Sequence, residues 1–132
     1  MTKRFLKLSG TLEFITGIVV LAAPALFARI LFGSVPDVPS GLACARIAGT
    51  ALLSLGVACW LGSRGIQDRA VAAIIAAMLT YNVSIAVLLL WLRFSAGVTG
   101  IGLLPASALH IALAFWSSIC FRLTLATERH SV

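Results

Sequence analysis

The stretch "AVAAIIAAMLTYNVSIAVLLLWLRF", residues 70–94, decides the fold class, because no charged residue interrupts it before Arg93. A helix needs about 20 mostly apolar residues to cross roughly 30 Å of hydrocarbon. Segments of that length also occur at residues 9–32, 41–62 and 101–121. A helix satisfies its own backbone hydrogen bonds, which lipid cannot do. We therefore predict four membrane helices and treat residues 1–132 as a single transmembrane domain.

The composition also indicates an integral membrane protein. Apolar residues make up 61% of the chain and charged residues 11%, whereas a soluble domain has about 25% charged residues. A soluble fold of this size would leave much of its apolar surface in contact with water. The strands of a membrane barrel are near 10 residues long and alternate between apolar and polar positions, and the four segments do neither. The predicted class is all-α.

The links between the segments are short and rich in turn-forming residues. They read "GSVPDVPS" (33–40), "GSRGIQDR" (62–69) and "SAGVTG" (95–100). Short links favour antiparallel neighbours, so we predict an up-down-up-down four-helix bundle. We expect Pro24 to kink the first helix or to begin a separate turn at the membrane surface. Pro105 is expected to be the first residue of the fourth helix.

The net charge of +6 is distributed unevenly along the chain. Seven Lys and Arg residues flank one set of helix ends, and three belong to the other set. The positive-inside rule then places both termini and the 62–69 loop in the cytoplasm, so we predict an N-in/C-in protein of the bacterial inner (plasma) membrane. The basic residues indicate topology, and no nucleic-acid partner is expected. The seven are Lys3, Arg4, Lys7, Arg64, Arg69, Arg122 and Arg129, and the three are Arg29, Arg46 and Arg93.

Rows of small residues spaced four apart predict where helices pack closely, since small side chains allow backbones to approach. On the second helix the row is Gly41, Ala45 and Gly49. We expect this row, and one on each of the next two helices, to face neighbouring helices. Those further rows are Ala72, Ala76, Thr80 and Ser84, and Ala106, His110, Ala114 and Ser118.

Glu13 is a carboxylate within the first apolar segment, where a charged group costs at least about 2.5 kcal/mol on insertion scales. Helical spacing puts it on a stripe that should face the bundle interior. Burial in a medium of low dielectric disfavours the charged form, so we predict that Glu13 is at least partly protonated near neutral pH. Counted from residue 9, Glu13 should lie roughly 6–9 Å below the cytoplasmic surface. The same stripe contains Ser9, Gly10, Thr16 and Gly17.

Arg46 is expected at a similar distance from the opposite surface, on the second helix. The two residues would then differ in depth by about 15 Å. A salt bridge between Glu13 and Arg46 therefore requires a considerable tilt or a shifted register. The alternative is that the Arg46 side chain extends outward to the membrane surface.

Three further polar residues are expected deep in the bundle: Tyr81 and Asn82 on the third helix and His110 on the fourth. Asn82 can hydrogen-bond across helices, typically for about 0.6 kcal/mol, and a histidine can titrate near neutral pH. Two roles stay open for these residues, namely structural hydrogen bonds between helices or an interior polar track. The candidate ligand or proton site comprises Glu13, Tyr81, Asn82, His110 and Arg46.

The sequence lacks motifs that support catalysis, including HExxH, GxSxG and a Gly-rich phosphate loop. We therefore predict that the protein is not an enzyme. Cys44, Cys59 and Cys120 form no CxxC pair, and neither a metal nor a cofactor is predicted. A haem held by two histidines would need a second chain to supply a partner for His110.

Stretches along the whole chain resemble a group of uncharacterised bacterial four-helix membrane proteins, loosely akin to the DoxX-like and DUF4345-like families. The candidate site residues fall within these stretches. The resemblance implies a four-helix fold in a bacterial membrane and implies no particular chemistry. The stretches are "LSGTLEFITGIVVLAAPAL" (8–26), "ARIAGTALLSLGVACW" (45–60), "AMLTYN" (77–82) and "LLPASALH" (103–110).

We predict a small inner-membrane protein that binds or passes a small apolar or cationic molecule through an interior polar track. The alternative is a non-catalytic accessory or structural subunit of a larger membrane complex. The first function requires an internal cavity that reaches Glu13, and the second requires a flat outer face of small residues and no cavity. The expected partners are the lipid bilayer, a small hydrophobic or cationic ligand, and a second copy of the chain or a larger complex.

Overall fold

The computed structural model describes residues 1–65 and 68–130, with side chains for all of these except 68 and 127–130. The described chain is all-α and forms five helices. Four of them are long and apolar enough to cross a membrane, which indicates a multi-pass membrane protein. Residues 66–67, at the centre of the predicted 62–69 loop, lie outside the described residues. The helices are α1 (Thr2–Ala22), α2 (Pro24–Phe32), α3 (Pro39–Ser63), α4 (Asp68–Phe94) and α5 (Leu103–His130).

The predicted first helix, 9–32, is wrong at both boundaries. α1 already begins at Thr2, so the basic "TKRFLK" belongs to the helix. Lys and Arg are good helix formers, and their long side chains reach the membrane surface from within a helix. α1 ends at Ala22, and Pro24 begins the separate nine-residue α2. Proline cannot donate the hydrogen bond that a continuing helix needs, but it fits the first helical position. α2 thus adds a fifth helix to the four predicted.

Predicted and observed boundaries agree best in the middle of the chain. α3 and α4 extend the predicted segments 41–62 and 70–94 by at most two residues at either end. α5 begins at Leu103, which puts Pro105 in its third position, where the helix does not yet require a backbone donor. α5 also continues to His130, well beyond the predicted end.

α2 packs against the link that precedes α5. The Gly102 N–H donates a hydrogen bond to the Ile30 carbonyl at 2.9 Å. A side chain at Gly100 would collide with the backbone of Leu31, so glycine is required for this approach. These contacts hold the link between α4 and α5 against the segment between α1 and α3.

A glycine seam joins α1 and α3 along their length. A Cβ atom placed on Gly17 would lie 2.8 Å from the Gly49 carbonyl oxygen, and one placed on Gly49 would lie 3.0 Å from the Gly17 carbonyl oxygen. Gly10 and Gly56 meet in the same way, at 2.9–3.0 Å. Only glycine permits such direct backbone contact. The order of these contacts shows that α1 and α3 run antiparallel.

The predicted row on the second membrane helix is correct at Gly49 and wrong at Gly41, which packs on Pro36 in the preceding link. Ala45, between them, is half-buried. The glycines that face α1 are spaced seven apart and not four, because each is two helical turns from the next. On α3 the glycine seam therefore runs from Gly49 to Gly56.

α4 packs mainly along α5, and the pairs α1/α3 and α4/α5 meet through longer side chains. The predicted small-residue row of α4 is correct at Ala72, which is buried, and wrong at Thr80 and Ser84, which are exposed. Thr80 donates a hydrogen bond to the Ala76 carbonyl of its own helix, which allows the hydroxyl to face lipid. The predicted α5 row is half-buried throughout. The core between the pairs contains Phe5, Leu6, Cys59, Ile75, Met78, Leu113 and Cys120.

Candidate functional site

Glu13 lies near the middle of the 21-residue α1, and its side chain is only 4% exposed. It lies between Gly10 and Gly17 on the stripe predicted to face the interior, and both glycines are buried. α1 begins at Thr2, seven residues before the residue from which the depth of roughly 6–9 Å was counted, and the depth itself stays a prediction.

The partner of Glu13 is Tyr81, which lies at the middle of α4. The Tyr81 hydroxyl lies beside the Glu13 carboxyl group, close enough for the two groups to interact. The backbones of α1 and α4 have little other contact. This side-chain pair therefore connects the two helix pairs through the core.

Ser9, one turn before Glu13, is a second buried polar residue of α1. Its side chain is 0% exposed, and its Oγ has no hydrogen-bond partner among the described residues. By contrast, the buried hydroxyls of Ser107 and Ser117 in α5 donate to carbonyls of their own helix. An unsatisfied buried hydroxyl costs about 1–3 kcal/mol. A ligand with a polar atom beside Ser9 would recover that cost.

His110 of α5 and Asn82 of α4 form a second polar pair. His110 Nδ1 lies 2.8 Å from Asn82 Oδ1, and Asn82 Nδ2 donates to the Met78 carbonyl at 2.7 Å. In this arrangement Asn82 Oδ1 is an acceptor, so His110 Nδ1 carries the hydrogen. In neutral His110 the free lone pair is then on Nε2, which is the nitrogen able to accept a proton.

A ring contact joins the two pairs into one group. The rings of Tyr81 and His110 meet edge to face, with centroids 5.5 Å apart and an interplanar angle of 80°. We call Glu13, Tyr81, Asn82 and His110 the polar cluster. The structure thus brings together four of the five residues predicted for the site.

Arg46, the fifth, is not part of the polar cluster. Its side chain is exposed, and the described residues contain no ion pair between it and Glu13. Gly17 faces Gly49 in an antiparallel pair, so Arg46 lies beyond the level of Gly17 and away from Glu13. The salt bridge considered from the sequence is therefore not formed, and the exposed Arg46 side chain fits the alternative.

The chemistry of the polar cluster is that of hydrogen bonds and protons. It contains one carboxyl, one phenol, one imidazole and one amide, all of which can donate or accept hydrogen bonds. Across the described part of the chain, no three His, Cys, Asp or Glu side chains lie together as a metal site would need. Cys59 is buried near the Glu13 carboxyl and extends the polar region toward α3.

A groove at one end of the α1/α3 pair is a site that sequence reasoning missed. Its volume is about 330 Å³. Helical spacing groups the lining residues that belong to the same helix. Only the antiparallel pairing of α1 and α3 brings the residues of the two helices together. The lining residues are Lys7, Thr11, Trp60, Ser63 and Arg64.

No protein-family model, curated protein or solved structure matches this chain. The similarity to DoxX-like and DUF4345-like proteins stays a prediction from the quoted stretches. Functional inference rests on the geometry of the polar cluster and of the groove.

Proposed function

We propose that this protein is a non-enzymatic, multi-pass protein of the bacterial inner membrane that binds or passes a small apolar or cationic molecule at the polar cluster. Its helices run up-down-up-down with both termini in the cytoplasm. The observation that carries the proposal is the burial of Glu13 at the middle of α1. Ionisable groups within membrane segments are costly and usually serve substrate, ion or proton pathways.

The neighbours of Glu13 favour this class of ligand. A cation would be attracted to the carboxylate, and the apolar core between the helix pairs, which includes Ile75 and Met78, would accommodate the rest of the molecule. The unpartnered Ser9 hydroxyl offers one more hydrogen bond on the same face of α1. Together these groups suit a ligand that is mostly apolar and carries one positive or polar centre.

The polar cluster also has two proton acceptors, the Glu13 carboxylate and His110 Nε2. Tyr81 lies between the two residues, since its hydroxyl is beside Glu13 and its ring packs on His110. Binding of a cation at Glu13 would compete with a proton. We therefore propose that acidification weakens cation binding.

The competing function is an accessory subunit in which the polar cluster only holds the helices together. The position of two cavities is compatible with that reading. One is the groove at the end of α1/α3, and the other, of about 530 Å³, lies between the 33–34 link and the 97–99 link. Neither is lined by Glu13.

Equilibrium dialysis with two probes distinguishes these functions. The purified protein in detergent is tested with tetraphenylphosphonium, a lipophilic cation, and with uncharged triphenylphosphine. We expect saturable binding of the cation, and at least about tenfold weaker binding by Glu13→Gln, because a charge paired in a low-dielectric site contributes well over 1.4 kcal/mol. Asp37→Asn is the matched control, since it removes one exposed carboxylate in the link between α2 and α3.

Two results would contradict the proposal. Equal binding of the cation by the parent protein and by folded Glu13→Gln would mean that Glu13 is not part of the site. Absence of saturable binding for both probes would favour the accessory subunit.

A further inference from the structure

We propose that the groove at the end of α1 and α3 binds the phosphate group of an anionic membrane lipid. This is a second site, separate from the polar cluster and independent of the function proposed there. The groove brings Lys7 from α1 together with Arg64, the residue that caps the C-terminal end of α3. Its volume of about 330 Å³ is within the range of about 300–1,000 Å³ found for small-molecule sites.

The neutral donors of the groove are already used within the protein. The Thr11 hydroxyl donates to the Lys7 carbonyl at 2.9 Å and accepts the Trp60 indole N–H at 3.3 Å. The Ser63 hydroxyl donates to the Trp60 carbonyl at 2.7 Å. The unused donors are therefore the Lys7 ammonium and the Arg64 guanidinium, which are both exposed. Two cations with several free N–H groups suit a phosphate, which offers several acceptor oxygens.

Trp60 forms a fixed wall of the groove. Its indole is stacked on Phe14, with ring centroids 6.1 Å apart and planes 8° from parallel. Its N–H is held by Thr11, and its side chain is 46% exposed. Tryptophan with one apolar and one polar edge is typical of the boundary between hydrocarbon and headgroups. The groove therefore lies where lipid phosphates are, which favours a lipid over a soluble anion.

The electrostatic balance of the groove favours an anion. The C-terminal end of a helix carries about half a negative elementary charge, so the end of α3 opposes an anion weakly. Lys7 and Arg64 contribute two full positive charges, and Lys3 and Arg4 lie on the preceding turn of α1. No described acidic side chain lines the groove. Basic pockets between membrane helices bind anionic headgroups in this way.

Lipid binding to the full-length protein in detergent tests this proposal. Native mass spectrometry would measure binding of dioleoylphosphatidylglycerol, of dioleoylphosphatidylcholine with the same acyl chains, and competition by inorganic phosphate. We expect preferential binding of the anionic lipid, and about tenfold or greater weakening in the double variant Lys7→Gln/Arg64→Gln. Lys7→Arg should retain binding, because it keeps the charge.

The matched control is Arg69→Gln/Arg122→Gln, which removes the same charge from exposed residues that do not line the groove. It should change binding by less than about twofold. If both double variants weaken binding of the anionic lipid equally, the proposal is overturned, because net charge alone would then explain the loss of binding. Equal binding of the two lipids, or displacement of the anionic lipid by equimolar inorganic phosphate, would also overturn it.

Discussion

The Tyr81 hydroxyl of α4 lies beside the Glu13 carboxyl of α1, and this side-chain pair links two helices whose backbones otherwise have little contact. Glu13 also lies within the α1/α3 seam, and Tyr81 packs on His110 of α5. This polar contact therefore links the two tightly packed helix pairs in addition to the apolar core between them. If the pairs move apart to admit a ligand, this is the contact that must open.

A double-mutant cycle measures the strength of that contact. Glu13→Gln and Tyr81→Phe each change one polar group of this contact and preserve shape. We expect their effects on the free energy of unfolding in detergent to be non-additive by about 0.6–1.7 kcal/mol, the range measured for hydrogen bonds between membrane helices. Additive effects, within about 0.3 kcal/mol, would mean that the two side chains do not interact.

Substitution within the glycine seam should destabilise the protein. Gly49→Leu puts a side chain where even a Cβ would lie 3.0 Å from the Gly17 carbonyl oxygen. Overpacking of this kind costs about 1–3 kcal/mol or more, so the Tm in detergent should fall by several degrees. Ala48→Leu is the control, because Ala48 is the exposed neighbour on the same helix. A Tm that is unchanged by Gly49→Leu would mean that α3 does not pack on α1 through this residue.

Asn82 should determine the tautomer of His110. Asn82 Oδ1 accepts from Nδ1 at 2.8 Å, so ¹⁵N spectra of histidine-labelled protein should show a neutral His110 with hydrogen on Nδ1. Asn82→Leu removes the acceptor and should shift the population toward the Nε2–H tautomer. His110→Gln assigns the signal. A spectrum with hydrogen on Nε2 in the parent protein would contradict the assigned hydrogen bond.

Seven basic residues flank one set of helix ends and three belong to the other, and this unequal distribution predicts the topology. A reporter fused after Val132, a residue outside the described part of the chain, should be active only if it is a cytoplasmic reporter. Activity of a periplasmic reporter at that position would overturn the N-in/C-in orientation. It would also place the proposed lipid groove in the outer leaflet.

Hydropathy predicted the class and the four long helices because membrane segments differ strongly from soluble ones in composition. It also singled out Glu13, Tyr81, Asn82 and His110, since each is a polar side chain in an apolar run. The inner face of each helix was harder to predict. A helix that is apolar on all sides has little hydrophobic periodicity, so the face that packs is decided by close fit and not by polarity.

The weak hydrophobic periodicity of membrane helices explains individual predictions that were wrong. Thr80 and Ser84 are small and polar, yet they face outward, because a hydroxyl can bond to its own helix. The start of α1 at Thr2 was missed because three basic residues reduce hydropathy without preventing a helix. The groove that contains Lys7 and Arg64 depends on the antiparallel register of α1 and α3, which the glycine contacts reveal.

The measurement that tests the central claim most directly is infrared difference spectroscopy of the protein in bilayers from about pH 5 to about pH 9. An interior Glu13 that is shielded from water and has no cationic partner should show the C=O stretch of a protonated carboxyl group. We expect this band to disappear in Glu13→Gln and to shift in Tyr81→Phe, because the phenol is the polar group beside the Glu13 carboxyl. Absence of the band at every pH would show that Glu13 is ionised throughout, and the account of a buried proton and ligand site would be wrong.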